Sequence, residues 1–216
     1  MSYKKIKFKE LKEKFGIHQT RAAIFPTAIH EVTPSQRLQE DLAEAKSMAL
    51  TSEKALSEGY VFPILKELRR RNLDSIELFS GEILVGDATV GLEGECDFLI
   101  TLTPGAVELT DPIICITEAK KGVVDDSRSL AQTASQMLGA RFFNLKHDKN
   151  LPTIYGACTN GTEWLFLRLR DQILEIDNER FHLAQLPKLL GALQMVVDEE
   201  KASVLSRTEI QQHTQK

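Results

Sequence analysis

The sequence predicts an α/β domain, and three observations carry that expectation. Two short apolar runs, GECDFLI at 94–100 and IICITEAKK at 113–121, are bounded by Gly and Pro and rich in branched residues, the mark of buried strands. A stretch of helical character, SRSLAQTASQMLGARFF at 127–143, follows them and sets Leu130, Ala134, Met137 and Leu138 as an apolar face. Asn160-Gly161 then separates two further strand-like segments, and both residues tolerate the positive φ of a tight hairpin.

Composition narrows the class. A chain of 216 residues with 42% hydrophobic content is one ordinary globular domain with room for a helical appendage. No apolar run approaches the roughly 18 residues of a membrane span, so no membrane partner is expected. The opening MSYKKIKFKELKEKFG is too charged for the apolar centre of a secretory signal. Cys96, Cys115 and Cys158 show no CxxC or Cys/His grouping, and two of them lie inside apolar runs. They read as buried reduced thiols of a cytoplasmic protein. The net charge is −4, whereas a free-standing DNA binder usually carries a basic face. The acidity counts against tight, unaided DNA binding and leaves room for a partner subunit or an oligomer. Of the local basic clusters, Lys4/Lys5/Lys7/Lys9 and Arg69/Arg70/Arg71 read as solvated helix faces, and Lys120/Lys121 closes a strand.

The elements follow in order. Phe8, Leu11 and Phe15 recur at helical spacing, so residues 1–17 hold a short helix. Residues 18–33 look irregular, and Thr33-Pro34-Ser35 starts a helix through LQEDLAEAKSMAL. A third helix runs from Thr51 or Ser52 to Arg71 with Val61, Ile64, Leu65 and Leu68 inward, and Pro63 should kink or break it. Residues 73–90 hold a strand and a variable loop made turn-rich by Gly81, Gly86, Gly91 and Gly94. LTPGAVELTDP connects the two apolar strands, and Asp125 or Asp126 caps the helix after them. Leu165, Leu167 and Leu169 alternate with Phe166, Arg168 and Arg170 as in a half-buried strand, with Trp164 in the core. A last helix from about Leu186 to Ala202 buries Leu189, Leu190, Leu193 and Val197, ahead of a polar, frayed tail. This gives an N-terminal helical extension at 1–50, a core at 51–205 and a tail at 206–216. The five histidines are scattered and read as surface residues.

The chemistry concentrates where the two apolar strands end. Strand side chains alternate, so Glu118 and Lys120 share a face, and Asp97 joins them if the strands are neighbours. Two carboxylates and an ammonium at one sheet edge suit a hard divalent cation and an activated water. Glu-x-Lys is weak by itself: it recurs at Glu10/Lys12 and Glu44/Lys46, where about 200° of helix separates the pair. Only Glu118/Lys120 closes an apolar strand with an acidic strand upstream. The competing reading is an ordinary Lys–Glu pair at a solvated strand end. Gln132 and Gln136 lie one helical turn apart, either facing the site or exposed on a solvated stripe.

Taken together, SEKALSEGYVFPILKEL, GECDFLI, ITEAK, AQTASQ and YGACTNGTEWLFLRL resemble the PD-(D/E)XK nuclease superfamily. Within it the chain is similar to the nuclease-like N-terminal domain of type I restriction motor subunits. The resemblance spans about Ser52 to Leu169. It implies a restriction-endonuclease-like fold: a central mixed sheet flanked by helices, here with extra N-terminal helices. It implies Mg²⁺ or Mn²⁺ held by Asp97, Glu118 and the Ala119 carbonyl, with Lys120 acting on the water or the phosphate. Gln132 would orient the nucleophile or substrate, and Glu53 or Glu58 would approach the metal through water. The substrate would be nucleic acid, DNA first, in restriction, repair or mobile-element processing. Cutting two strands with single-site subunits commonly takes two copies, so a homodimer or a partner subunit fits. No P-loop is present, so a restriction role would draw on other chains. Asp97→Ala, Glu118→Ala and Lys120→Ala are each expected to abolish hydrolysis and leave the fold intact. The alternatives are a catalytically silent module of the same fold that binds DNA or a protein, or an unrelated α/β domain with surface acids.

Overall fold

The computed structural model describes residues 2–214, with side chains described as far as Arg207. Helix α1 (Phe8–Phe15) leads into strand β1 (His18–Ala22), then α2 (Gln36–Ser47), a short α3 (Glu53–Leu56) and α4 (Phe62–Arg71). Strands β2 (Glu77–Asp87), β3 (Leu92–Thr101) and β4 (Ile113–Ala119) precede α5 (Ser127–Lys146). Strands β5 (Thr153–Thr159), β6 (Glu163–Arg170) and β7 (Ile173–His182) lead to α6 (Leu186–Thr214). The seven strands form one open mixed sheet in the order β1-β7-β6-β5-β4-β3-β2. The pairs β4/β5 and β1/β7 are parallel and the others antiparallel. The chain is thus an α/β protein with helices on its sheet.

Helix α5 is the crossover that a parallel β4/β5 pair requires, and it packs on one sheet face. Gln132 and Gln136 of α5 reach Glu118 of β4, and Thr133 touches the Cys158 thiol of β5 at 3.0 Å. The residues of opposite parity face α6, as when Tyr155 donates to Glu199. With a helix over each face, every residue of β4 and β5 is buried, which explains their near-continuous apolar runs. Small residues let α5 approach closely. A side chain at Gly86 would lie 2.5 Å from the Gly139 backbone, and one at Gly156 would lie 2.5 Å from the Met137 sulfur. At the far end Asn144 exchanges two 2.8 Å hydrogen bonds with the backbone of Ile113. Asp126 caps α5 by accepting from the backbone of Arg128 and Ser129.

Several expectations change. Residues 18–22 are a strand and not irregular: β1 is a polar edge strand, exposed along most of its length and held by its ladder to β7. Strand β2 runs straight through Gly81 and Gly86, so the expected loop shrinks to the turn at Ala88–Val90. Phe166 is buried as deeply as the leucines beside it, because Phe25 and Phe181 meet it edge-on at 5.0 and 5.2 Å. Strand β6 is therefore covered on both faces rather than half-buried. The helix expected at 51–71 is broken before Pro63 by a π-turn at Ser57–Val61. A proline cannot return an amide to the preceding turn, and the wider turn accommodates that. The segment Thr153–Ile176 carries β5, β6 and the start of a third strand, β7. Helix α6 continues past Ala202 to Thr214; the side chains of the expected polar tail from Thr208 onward lie outside the described residues. Arg70 and Arg71 pair with Glu67, and Arg69 pairs with Glu77, so each arginine of that basic cluster is engaged in an ion pair.

Candidate active site

Glu118 is the next-to-last residue of a strand buried on both sides, and its side chain is 1% exposed. A buried carboxylate needs donors, and three side chains supply them. Lys120 Nζ donates to Oε1 at 2.6 Å, Gln132 Nε2 donates to the same oxygen, and Gln136 Nε2 donates to Oε2 at 2.7 Å. The i, i+4 spacing on α5 sets both amides over one carboxylate. The reading of Gln132 and Gln136 as exposed amides is overturned, since both are buried. Gln136, which has no separate role in the sequence reading, grips Glu118 and also donates to the Glu95 carbonyl at 3.4 Å. Its spacing from Gln132 was the available signal.

Asp97 reaches the same place from β3. The last registered pair of the β3/β4 ladder is Phe98 with Thr117. Beyond it the Ala119 N–H, instead of continuing the ladder, donates to Asp97 Oδ2 at 2.7 Å. The Lys120 N–H goes to the Thr159 carbonyl at 2.7 Å, carrying the β4/β5 pairing one residue further. The Asn160-Gly161 turn supports the following loop, because Asn160 Nδ2 donates to the Gly122 carbonyl at 2.9 Å. Strand ends and hairpin thus fix the Glu-x-Lys backbone from both sides.

The two candidate glutamates part company. Glu53 accepts from the Lys121 N–H at 3.1 Å and stands 3.7 Å from Lys120 Nζ. Glu58 is exposed and pairs with Lys54 at 3.8 Å. Both line the cleft, of about 510 Å³, that opens in front of Asp97 and Ala119, with Gly81, Glu95 and Phe98 on its other walls. No histidine lines that cleft; the side chain of His213 lies outside the described residues.

Electrostatics follow from this packing. Burial pushes the Glu118 carboxyl up, the Asp97 charge pushes it further, and Lys120 and Gln136 only partly offset them. Asp97 is likewise raised by burial against the pull of the Ala119 amide and Lys120. Burial opposes the charge on Lys120, but Glu118, then Glu53 and Asp97, outweigh it, so Lys120 is held as an ammonium. Burial and the same two carboxylates push the Cys96 thiol up, leaving no soft thiolate beside them. The three cysteines are free and buried, as expected.

A hard divalent cation fits these donors in kind. Among the described residues Asp97 Oδ1 carries no hydrogen bond, the Glu118 carboxylate is near enough to Asp97 for the two charges to repel, and the Ala119 carbonyl follows Glu118 directly. All are oxygen donors of the sort Mg²⁺ and Mn²⁺ take, with remaining positions left to water and substrate. Among the described residues no group of three or more His, Cys, Asp or Glu side chains could hold a metal ion.

The chain matches no protein-family model and no curated protein. Its chemistry therefore rests on these side chains. No helix among the described residues is long and apolar enough to cross a membrane.

Proposed function

We propose that this protein is a metal-dependent nuclease of the PD-(D/E)XK superfamily, with a restriction-endonuclease-like core, that hydrolyses phosphodiester bonds of DNA. The observation that carries the reading is the meeting of Asp97, Glu118 and Lys120 where the β3/β4 ladder stops, with two glutamines behind Glu118. A divalent cation held by Asp97, Glu118 and the Ala119 carbonyl would supply an activated water and neutralise phosphate charge. Lys120, an ammonium between Glu118 and Glu53, is suited to stabilising charge that develops on the phosphate; it has no free electron pair with which to accept a proton. Gln132 and Gln136 hold the Glu118 carboxylate in one orientation. Glu53 holds Lys120 and the Lys121 backbone at the cleft, whereas Glu58 belongs to the outer wall. The alternative, a silent module that binds DNA or a protein, draws on the same contacts, since Glu118 is already satisfied by protein donors.

Calorimetric titration of Mn²⁺ and Mg²⁺ into wild type and into Asp97→Asn/Glu118→Gln separates the two. Saturable binding that the double variant loses, together with metal-dependent nicking of supercoiled DNA that Lys120→Met loses, is expected. Absence of metal binding with a short duplex present, or nicking that survives both variants, rejects the nuclease reading.

A further inference from the structure

The chain has two dense basic clusters, and they meet different fates. The arginines that close α4 are tied up by Glu67 and Glu77. Lys4, Lys5 and Lys7, just ahead of α1, are exposed and form no salt bridge among the described residues, although Lys9 and Lys14 on α1 pair with Glu13 and Glu10. Unpaired lysines are unremarkable on a loose end, but this segment is pinned. Tyr3 is 1% exposed, and its hydroxyl donates to the carbonyls of Leu84 at 3.2 Å and Leu92 at 3.1 Å. The socket that admits it is cut by glycines. A side chain at Gly139 would lie 2.0 Å from the Tyr3 hydroxyl, and one at Gly94 would lie 3.2 Å from the ring. Gly94 also has φ +147, which an L side chain rarely adopts. Ile6 is buried on the other side of the two lysines. Tyr3 and Ile6 therefore fix the backbone that carries Lys4 and Lys5.

That fixed backbone borders the site. The Tyr3 socket shares Gly94 with the strand that bears Asp97, and the Tyr3 carbonyl accepts from Ser135 Oγ at 3.4 Å, on the helix that carries Gln132 and Gln136. The cleft's other walls carry Glu53, Glu58 and Glu95, and Glu93 and Glu95 of β3 form no salt bridge with the lysines. A polyanion approaching Lys120 across the glutamates meets repulsion; approaching over residues 4–7 it meets three exposed ammonium groups without a salt bridge among the described residues, with Glu10 at the Lys7 amide as the carboxylate beside them.

We propose that Lys4, Lys5 and Lys7 form the phosphate grip that leads duplex DNA into the cleft. This rests on the nuclease reading above and names the surface by which that site would take its substrate. Neutralising phosphates releases counterions, and each contact adds about 0.9 to the slope of log K against log salt.

The test is fluorescence anisotropy of a short labelled duplex against wild type, Lys4→Gln/Lys5→Gln/Lys7→Gln, and the control Lys9→Gln/Lys14→Gln, from about 50 to 200 mM salt. Mn²⁺ titration of each variant runs in parallel and reads the metal site independently. The triple variant should lose about 2.7 from the slope and at least tenfold in affinity at low salt. The control should lose less than one from the slope, and Mn²⁺ binding should be unchanged in both. A triple variant with wild-type slope, a control that falls equally, or a wild type that does not bind the duplex overturns the grip. The first two results leave the nuclease reading standing; loss of Mn²⁺ binding in wild type strikes that reading separately.

Discussion

Two buried glutamates sit under opposite faces of the same sheet and are treated in opposite ways. Glu118, beneath α5, receives bonds from Lys120, Gln132 and Gln136 on its two oxygens. Glu200, on α6, is 2% exposed, and its Oε2 has no hydrogen-bond partner among the described residues. Burial, and then the charge on Glu199, push the Glu200 carboxyl up to about 8. Burying a carboxylate costs free energy on either face. Where donors are gathered, they offset part of that cost; where they are not, the carboxyl holds its proton up to about 8. The difference separates a carboxylate the fold holds in one orientation from one it merely accommodates.

The comparison breaks most visibly if Glu118 can be removed harmlessly. On sequence alone Glu118→Ala was expected to leave the fold intact. With Lys120, Gln132 and Gln136 left without their shared acceptor, the structure predicts a loss of about 3–5 kcal/mol instead, read as a lower midpoint in urea with unchanged m. A variant as stable as wild type would mean that the three donors do not depend on Glu118. Glu200 should behave in the reverse sense. Its folded value lies above its unfolded one, so the folded state holds a proton that the unfolded chain has released. Stability is therefore fully present at low pH and declines by about 1.4 kcal/mol per pH unit between the ordinary 4.5 and about 8. Glu200→Gln should remove that decline and raise the melting temperature at pH 8 much more than at pH 5. Equal shifts at both pH values would show that Glu200 does not titrate in this window. The smallest expected effect sharpens the account of Glu118. Gln136→Leu keeps the bulk and removes one donor, and should lower Mn²⁺ affinity or nicking about 10–100-fold while Tm moves little. A variant with unaltered affinity and nicking would reduce Gln136 to packing.

The cluster itself was legible because its signals are local. Asp97 and Glu118 are attached to apolar strands bounded by Gly and Pro, and alternation alone puts Glu118 and Lys120 on one side. The burial of Gln132 and Gln136 was not legible, because a polar stripe on an isolated helix reads as solvent-facing until a sheet carrying Glu118 is laid against it. The choice between Glu53 and Glu58 stays open in the sequence for another reason. Counting 100° per residue assumes an unbroken helix, and the π-turn beginning at Ser57 breaks the count between them. Strand β1 escaped because HQTRA has neither apolar alternation nor burial; its place is set by backbone pairing with a strand far away in sequence. Gly86 and Gly94 announced turns, but both lie within strands and are required by the close approach of α5 and of Tyr3.

Helix α5 grips β4 twice, by Asn144 at Ile113 and by the two glutamines at Glu118. A strand held at both ends by one rigid rod has its length gauged as well as its position. Sliding by a single residue would turn Glu118 towards α6 and carry Cys115 or Thr117 into the place of an apolar neighbour. It would also break both grips together. The helix works as a caliper, so the spacing between the carboxylate and the far end of the sheet is measured out by the count of residues from Gln132 to Asn144.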